Sequence, residues 1–184
     1  MFDPREIIRL QEQHCDDSRG TRKGARILRN VGEFARWFPR DEPIICVGAG
    51  DGLEVEAWQL LGHEATGIDI SPKKARVASK FGVPVLDLDA HGADYRGRNI
   101  YCAHTLEHCK DAESLLYSFA LNALSTICVI VPIEPDGSRN PSHLSPIRNL
   151  SQLHLPERSG WIETLRTERH NDEPEGAIVW NRKR

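Results

Sequence analysis

Long apolar runs are missing from this sequence, and none approaches the length needed to cross a bilayer. The start, Met1-Phe2-Asp3-Pro4-Arg5, lacks the basic-then-apolar pattern of an export signal. The cysteines, at 15, 46, 102, 109 and 128, are odd in number and show no C-x-x-C spacing, so a disulfide framework is not expected. Cys46, Cys102 and Cys128 sit in apolar runs, where a reduced cysteine behaves as a small hydrophobe. That usage fits a reducing cytoplasm. A global basic field is missing too: the net charge is −3, so no overall field draws in nucleic acid. Local basic clusters, Arg19, Arg22, Lys23 and Arg26 and then Arg182-Lys183-Arg184, read first as solvated surface and a charged tail.

What is present is an ordinary globular composition, 39% apolar and 28% charged over 184 residues, enough for one domain with a proper core. The chain is organised around Ile44-Ile45-Cys46-Val47-Gly48-Ala49-Gly50-Asp51-Gly52. A short apolar strand runs into alternating glycines, and a helix follows from Leu53 with Leu53, Ala57, Leu60 and Leu61 on one face before Gly62. Strand, glycine turn and helix together bring backbone N–H groups and a helix N-terminus close to a ligand. Farther on, Gly67-Ile68-Asp69-Ile70 offers a carboxylate at the end of a second strand, where nucleotide-type folds grip a ribose. The spacing separates the nucleotide classes. A dinucleotide fingerprint requires glycine where Leu53 stands, and a P-loop requires Gly-Lys-Ser/Thr where the chain has Gly52-Leu53-Glu54.

Upstream, residues 4–15 read as a helix, 15–24 as a polar, glycine-punctuated mobile connection, and 25–38 as a helix with Ile27, Leu28, Val31, Phe34, Ala35 and Phe38 inside. Downstream, strands at 64–70, 83–89, 99–103 and 127–132 alternate with helices started by Ser71-Pro72 and by Asp111. Pro84 points to an edge or entry position for the 83–89 strand. The last two strand-like runs, 160–166 and 176–181, have only a polar turn between them and predict an antiparallel hairpin. The fold class is therefore α/β: a Rossmann-like, mostly parallel seven-stranded sheet with helices on both faces and a C-terminal antiparallel hairpin.

The ordered landmarks from about 40 to 184 resemble class I S-adenosylmethionine-dependent methyltransferases of the small-molecule, type 11-like subgroup. Gly48-Ala49-Gly50-Asp51-Gly52 is similar to the family's glycine motif, and Asp89-Ala90 to its third-strand Asp-Ala pair. Leu106-Glu107-His108 ahead of Asp111, then His143-Leu144 and Gly160-Trp161, resemble later landmarks of the subgroup. The resemblance implies S-adenosylmethionine as cofactor and S-adenosylhomocysteine as product. It implies that Gly48, Ala49 and Gly50 face the methionine part, Asp69 the ribose hydroxyls, and Asp89 the adenine amine, with Ile70, Ala90, His104 and Leu106 completing the cofactor site. It also implies an N-terminal helical segment, 1–40, covering the site ahead of a methyltransferase domain, 41–184. Two positions depart from the pattern. Cys46 stands where an acid helps hold the cofactor's amino group, so either cofactor affinity is reduced or another acid such as Asp51 or Glu54 substitutes, and Asn122-Ala123-Leu124-Ser125-Thr126 replaces a Lys-Pro-Gly-Gly turn.

Each residue has a plainer reading. Strand-end aspartates such as Asp69 often cap the next helix, but Ser71-Pro72 already serves that purpose. Asp87 and Asp89 share a face by alternation, so only motif register prefers Asp89. His104-Thr105-Leu106-Glu107-His108 matches an inverted zinc-protease pattern, yet it follows a strand and precedes the helix, so no metal is expected. His108 and His143 are the candidate catalytic bases, with helix-entry hydrogen bonding the plain alternative for His108. The expected partner is a small-molecule acceptor methylated by in-line displacement, with no membrane partner. An RNA acceptor is the lesser alternative, since the signatures of DNA-amino and cytosine-C5 enzymes are absent. A non-catalytic methyltransferase-like binding or assembly module is the alternative of another class.

Overall fold

The structure, a computed structural model, describes residues 18–137, 140–156, 160–169 and 174–183; the helix expected at 4–15 lies outside them. The chain divides into two compact units, Met1–Ala93 and Asp94–Arg184.

In the first unit, Thr21 starts helix α1 (Arg22–Phe34) by accepting from the Gly24 amide at 3.1 Å, and a 3-10 turn, Ala35–Trp37, ends it. The helix thus begins before the expected residue 25, because a side-chain cap sits in the polar stretch. Val31, Phe34 and Phe38 are buried as expected, whereas Leu28 lies at the surface. The stretch expected to be mobile is anchored from Ser18 onward. Asp51 Oδ2 accepts from the Ser18 amide at 2.5 Å and its hydroxyl at 2.7 Å, while Arg19 pairs with Glu56 Oε2 at 2.7 Å. Strand β1 (Ile44–Val47) is buried throughout and leads through the glycine turn into α2 (Leu53–Leu60). Parallel β2 (Ala65–Asp69) pairs with β1, α3 (Pro72–Lys80) follows the Ser71 cap, and β3 (Val85–Asp87) pairs with the outer side of β2.

Helix α2 departs from the expected face. Leu53 and Ala57 are buried, but so are Glu54, Val55 and Trp58, while Leu60 is 80% exposed and Leu61 is also at the surface. Position along the axis decides burial here: the first turns lie under α1 and the Ser18–Arg19 turn, and the last turn projects beyond them.

In the second unit, β4 (Asn99–Ala103) is fully buried and parallel to β5 (Thr126–Pro132). Between them run a 3-10 turn, Leu106–His108, and helix α4 (Ala112–Asn122), capped where Asp111 Oδ1 accepts from the Ser114 amide at 2.9 Å. Entry to β5 is fixed by Asn99, whose Oδ1 accepts from the amides of Ser125 (3.0 Å) and Thr126 (2.8 Å). The chain closes with β6 (Trp161–Arg169) and β7 (Glu175–Arg182), antiparallel to each other, with β7 antiparallel to β5. A register shift between Glu163 and Leu165 interrupts β6. The strand order is β3-β2-β1-β4-β5-β7-β6, a mostly parallel seven-stranded Rossmann-like sheet with the hairpin at one edge and β3 at the other. Among the described residues no helix is long and apolar enough to cross a membrane.

Candidate active site

The first unit assembles the glycine turn and the end of β2. Ile68 O accepts from the amides of Gly48 and Ala49, both at 2.9 Å, which turns the chain sharply as it leaves β1. Gly50, at φ +57°, donates to Asp69 Oδ2 at 2.9 Å, while Asp69 Oδ1 accepts from the Ser71 amide at 2.8 Å. Asp69 therefore ties the turn to the strand end, although Ser71 also caps α3. Each carboxylate oxygen can accept more than one hydrogen bond, so the side chain keeps acceptor capacity. The turn has two sides. A Cβ built on Gly50 would meet nothing within 4 Å, whereas one on Gly52, at φ +83°, would come within 2.8 Å of Val83 Cγ1 and 3.0 Å of Ala78 Cβ. Gly52 serves packing; Gly50 leaves open space above the backbone.

Two acids enter α2, and they differ. Asp51 is consumed by Ser18, and its Oδ1 accepts from the Leu53 amide at 3.3 Å. Glu54 is only 6% exposed, and its Oε2 has no hydrogen-bond partner among the described residues. Burial pushes its carboxyl up to about 8, opposed by Lys23 and reinforced by Asp51 and Asp69. Cys46 is fully buried, and burial together with nearby Glu54 raises its thiol well above the ordinary range, so it is neutral. At the other end of the unit Asp89 is exposed and caps a turn, accepting from the His91 amide at 2.9 Å, with Ala90 half-buried beside it. Ile70 is half-buried just past Asp69.

The second unit gathers the histidines. His104, at φ +51°, is the non-glycine residue with left-handed backbone among those described. Its Nε2 lies 2.9 Å from Glu175 Oε1 and its Nδ1 3.7 Å from Glu107 Oε1. Leu106 is fully buried, so its side chain is core and only its backbone could serve a ligand. His108 and His143, distant in sequence, meet with ring centroids 4.8 Å apart at 79°. His108 Nδ1 is 3.0 Å from the Ser142 carbonyl, and His143 Nδ1 is 2.9 Å from Glu134 Oε2. Glu134 and Glu175 carry no motif and were not singled out in the sequence; only the register of β7 and the turn after β5 bring them to the histidines.

A family model described as "Methyltransferase domain" matches residues 45–120. No curated protein matches the chain. Among solved structures, the magnesium protoporphyrin IX methyltransferase from Synechocystis PCC 6803 with bound S-adenosylmethionine is 14% identical; the match covers 100% of this chain and 99% of that one, with a TM-score of 0.69. A methyltransferase dependent on the same cofactor, from Archaeoglobus fulgidus, is 15% identical over 86% of this chain and 94% of its own, with a TM-score of 0.67. The Burkholderia thailandensis 1,6-didemethyltoxoflavin-N1-methyltransferase, bound to its substrate and S-adenosylhomocysteine, is 14% identical over 100% and 92%, with a TM-score of 0.66.

Proposed function

We propose that this chain is a class I S-adenosylmethionine-dependent methyltransferase that methylates a small-molecule acceptor by in-line displacement, a reading supported by its match to a methyltransferase domain and by its fold. The observation that carries the reading is the glycine turn: Gly50 is clamped by Asp69 and open above. The buried carboxyl of Glu54, with an oxygen awaiting a donor, fits a cofactor bearing an ammonium group. When bound, the cofactor supplies a methyl group on a sulfonium; the nucleophile bonds to that carbon as the carbon–sulfur pair returns to sulfur, leaving S-adenosylhomocysteine.

The chain's own residues align and enclose. Backbone at Gly48, Ala49 and Gly50 receives the methionine part, and Asp69 accepts from the ribose hydroxyls with its remaining lone pairs. Asp89 accepts from the adenine amine, between Ile70 and Ala90. Glu54 takes the ammonium that Cys46, neutral and buried, cannot hold. The Ser18–Arg19 turn, fastened to Asp51 and Glu56, opens the described part of the N-terminal segment, 18–40, which covers the site in this reading. His104 and the backbone of Leu106 complete the cofactor contacts on the strength of the resemblance. An acceptor hydroxyl or acidic N–H would give its proton to His108 or His143, and Glu134, 2.9 Å from His143 Nδ1, holds that ring in place. A cytoplasmic location and a small acceptor complete the reading.

Isothermal titration with S-adenosylmethionine and S-adenosylhomocysteine tests it. Micromolar binding of either is the expected result. Cooperative melting without any binding would instead favour a non-catalytic module built on the same fold.

A further inference from the structure

Glu107, His108 and His143 each present one potential ligand atom, and these atoms lie within 4.8 Å of one another. Their hydrogen bonds fix what the two rings offer. The Ser142 carbonyl can only accept, so His108 carries its proton on Nδ1 and its lone pair on Nε2, which lies 4.0 Å from Glu107 Oε1. His143 gives its Nδ1 proton to Glu134, which again leaves the lone pair on Nε2. Asn140 reports the same state: its Oδ1 accepts from the Ser142 amide at 3.0 Å and hydroxyl at 2.8 Å, so its Nδ2 donates to His143 Nε2, at 3.1 Å.

An imidazole whose far nitrogen donates to a carboxylate or a backbone carbonyl is the arrangement that orients metal-ligating histidines. Both rings have it. The third group, Glu107, is only 1% exposed, and its backbone carbonyl accepts from the Ser145 amide at 3.0 Å, which holds the 3-10 turn against the segment carrying His143. The sequence gives the H-x-x-E-H pattern no metal because the stretch follows a strand and precedes the helix, so that His104 and His108 share no helical face. The structure instead gives His104 to Glu175 and Glu107, and brings His143 to the other end of the motif.

We propose that Glu107, His108 and His143 bind a divalent transition metal of the zinc type and leave an open position for an oxygen ligand. Two imidazoles and one carboxylate are a donor set of catalytic zinc sites, and imidazole selects such ions over magnesium or calcium. The ion takes the His143 lone pair in place of the Asn140 amide. With it bound, the rings are ligands and no longer proton acceptors, and a hydroxyl or water at the open position loses its proton more readily.

The test uses the full chain, freed of metal with a chelator and titrated with cobalt(II) alone, without cofactor, so its failure would leave the methyl-transfer reading standing. The expected result is saturation at about one cobalt(II) per chain, with the intense visible bands of a low-coordinate ion that zinc bleaches. His143→Gln and His108→Asn should each weaken binding by about tenfold or more, and Glu134→Gln by about tenfold through the orientation of His143. His154→Gln, at an exposed histidine, should change nothing. Far-UV circular dichroism confirms that each variant folds; if the histidine variants do not fold, a melting temperature of the unaltered chain raised by zinc and not by magnesium carries the same decision. Absence of saturable binding, or binding undiminished in folded His143→Gln, overturns the site. So does a near-ultraviolet thiolate band that disappears in Cys109→Ser.

Discussion

The Gly50 amide donates to Asp69 Oδ2 at 2.9 Å, so the turn that would face the cofactor is held by the side chain proposed to grip its ribose. Substitution of Asp69 therefore has two effects. Asp69→Ala leaves the Gly50 and Ser71 amides without their acceptor and should cost about 1–3 kcal/mol of stability. It should also weaken S-adenosylmethionine binding by about tenfold or more, equivalent to about 1.4 kcal/mol. Chemical denaturation and titration read the two separately; full affinity in a folded variant would remove Asp69 from the site.

The two sides of the glycine turn predict opposite outcomes for one substitution. Gly52→Ala forces a methyl group against Val83 and Ala78 at a left-handed φ and should destabilise the fold by about 2–4 kcal/mol. Gly50→Ala meets open space, so it should cost only the backbone penalty, about 1–2 kcal/mol, yet lose cofactor affinity. Melting and titration of the pair settle which glycine serves the ligand.

Glu54 predicts a pH dependence whose sign follows from its raised value, about 8. Between the unfolded carboxyl value, about 4.3, and the folded one, the folded chain holds a proton that the unfolded chain has lost. Its contribution to stability is complete below about pH 4 and declines as pH rises towards the folded value, above which it no longer changes. Glu54→Gln should flatten that part of the stability profile, measured by urea midpoints across the range.

Pairing of Glu54 with an ammonium needs the carboxylate, so cofactor binding near neutral pH should release a proton. Titration in buffers of different ionisation enthalpy measures it. The release should vanish in Glu54→Gln; no release from the unaltered chain would point to another partner for the ammonium.

Removal of the Ser18 hydroxyl, Ser18→Ala, takes one of the two Ser18 donors from Asp51 Oδ2 and should cost about 1 kcal/mol. Urea midpoints check it. An unchanged midpoint would mean that the covering turn is not held through this side chain.

Much of this was legible beforehand because the signals are local. Four apolar residues before Gly48, Ser71-Pro72, Asp111 and the polar break before residue 175 each dictate their element through burial, capping or turn chemistry. Helix α2 was read less well, since periodicity marks a face but not how far along the helix its cover extends; Leu60 satisfies the pattern and still faces solvent. The histidine cluster was half legible. His108 and His143 were singled out separately, but their meeting depends on the turn after β5; Glu175 is an ordinary surface-type acid until the register of β7 buries it beside His104, and that turn brings half-buried Glu134 to His143. Spacing within one element carries such information; proximity across elements does not.

Among the described residues strand β6 has no neighbour on its outer side, and it carries Glu163, Arg166, Glu168 and Arg169 together with the register shift after Glu163. Alternating charges and a local kink make a poor template for another chain's backbone. At the opposite margin β3 is only three residues long and is entered through Pro84, which has no N–H to donate. Among the described residues both margins thus resist growth by strand addition, so crowded copies of this chain gain little by pairing along them.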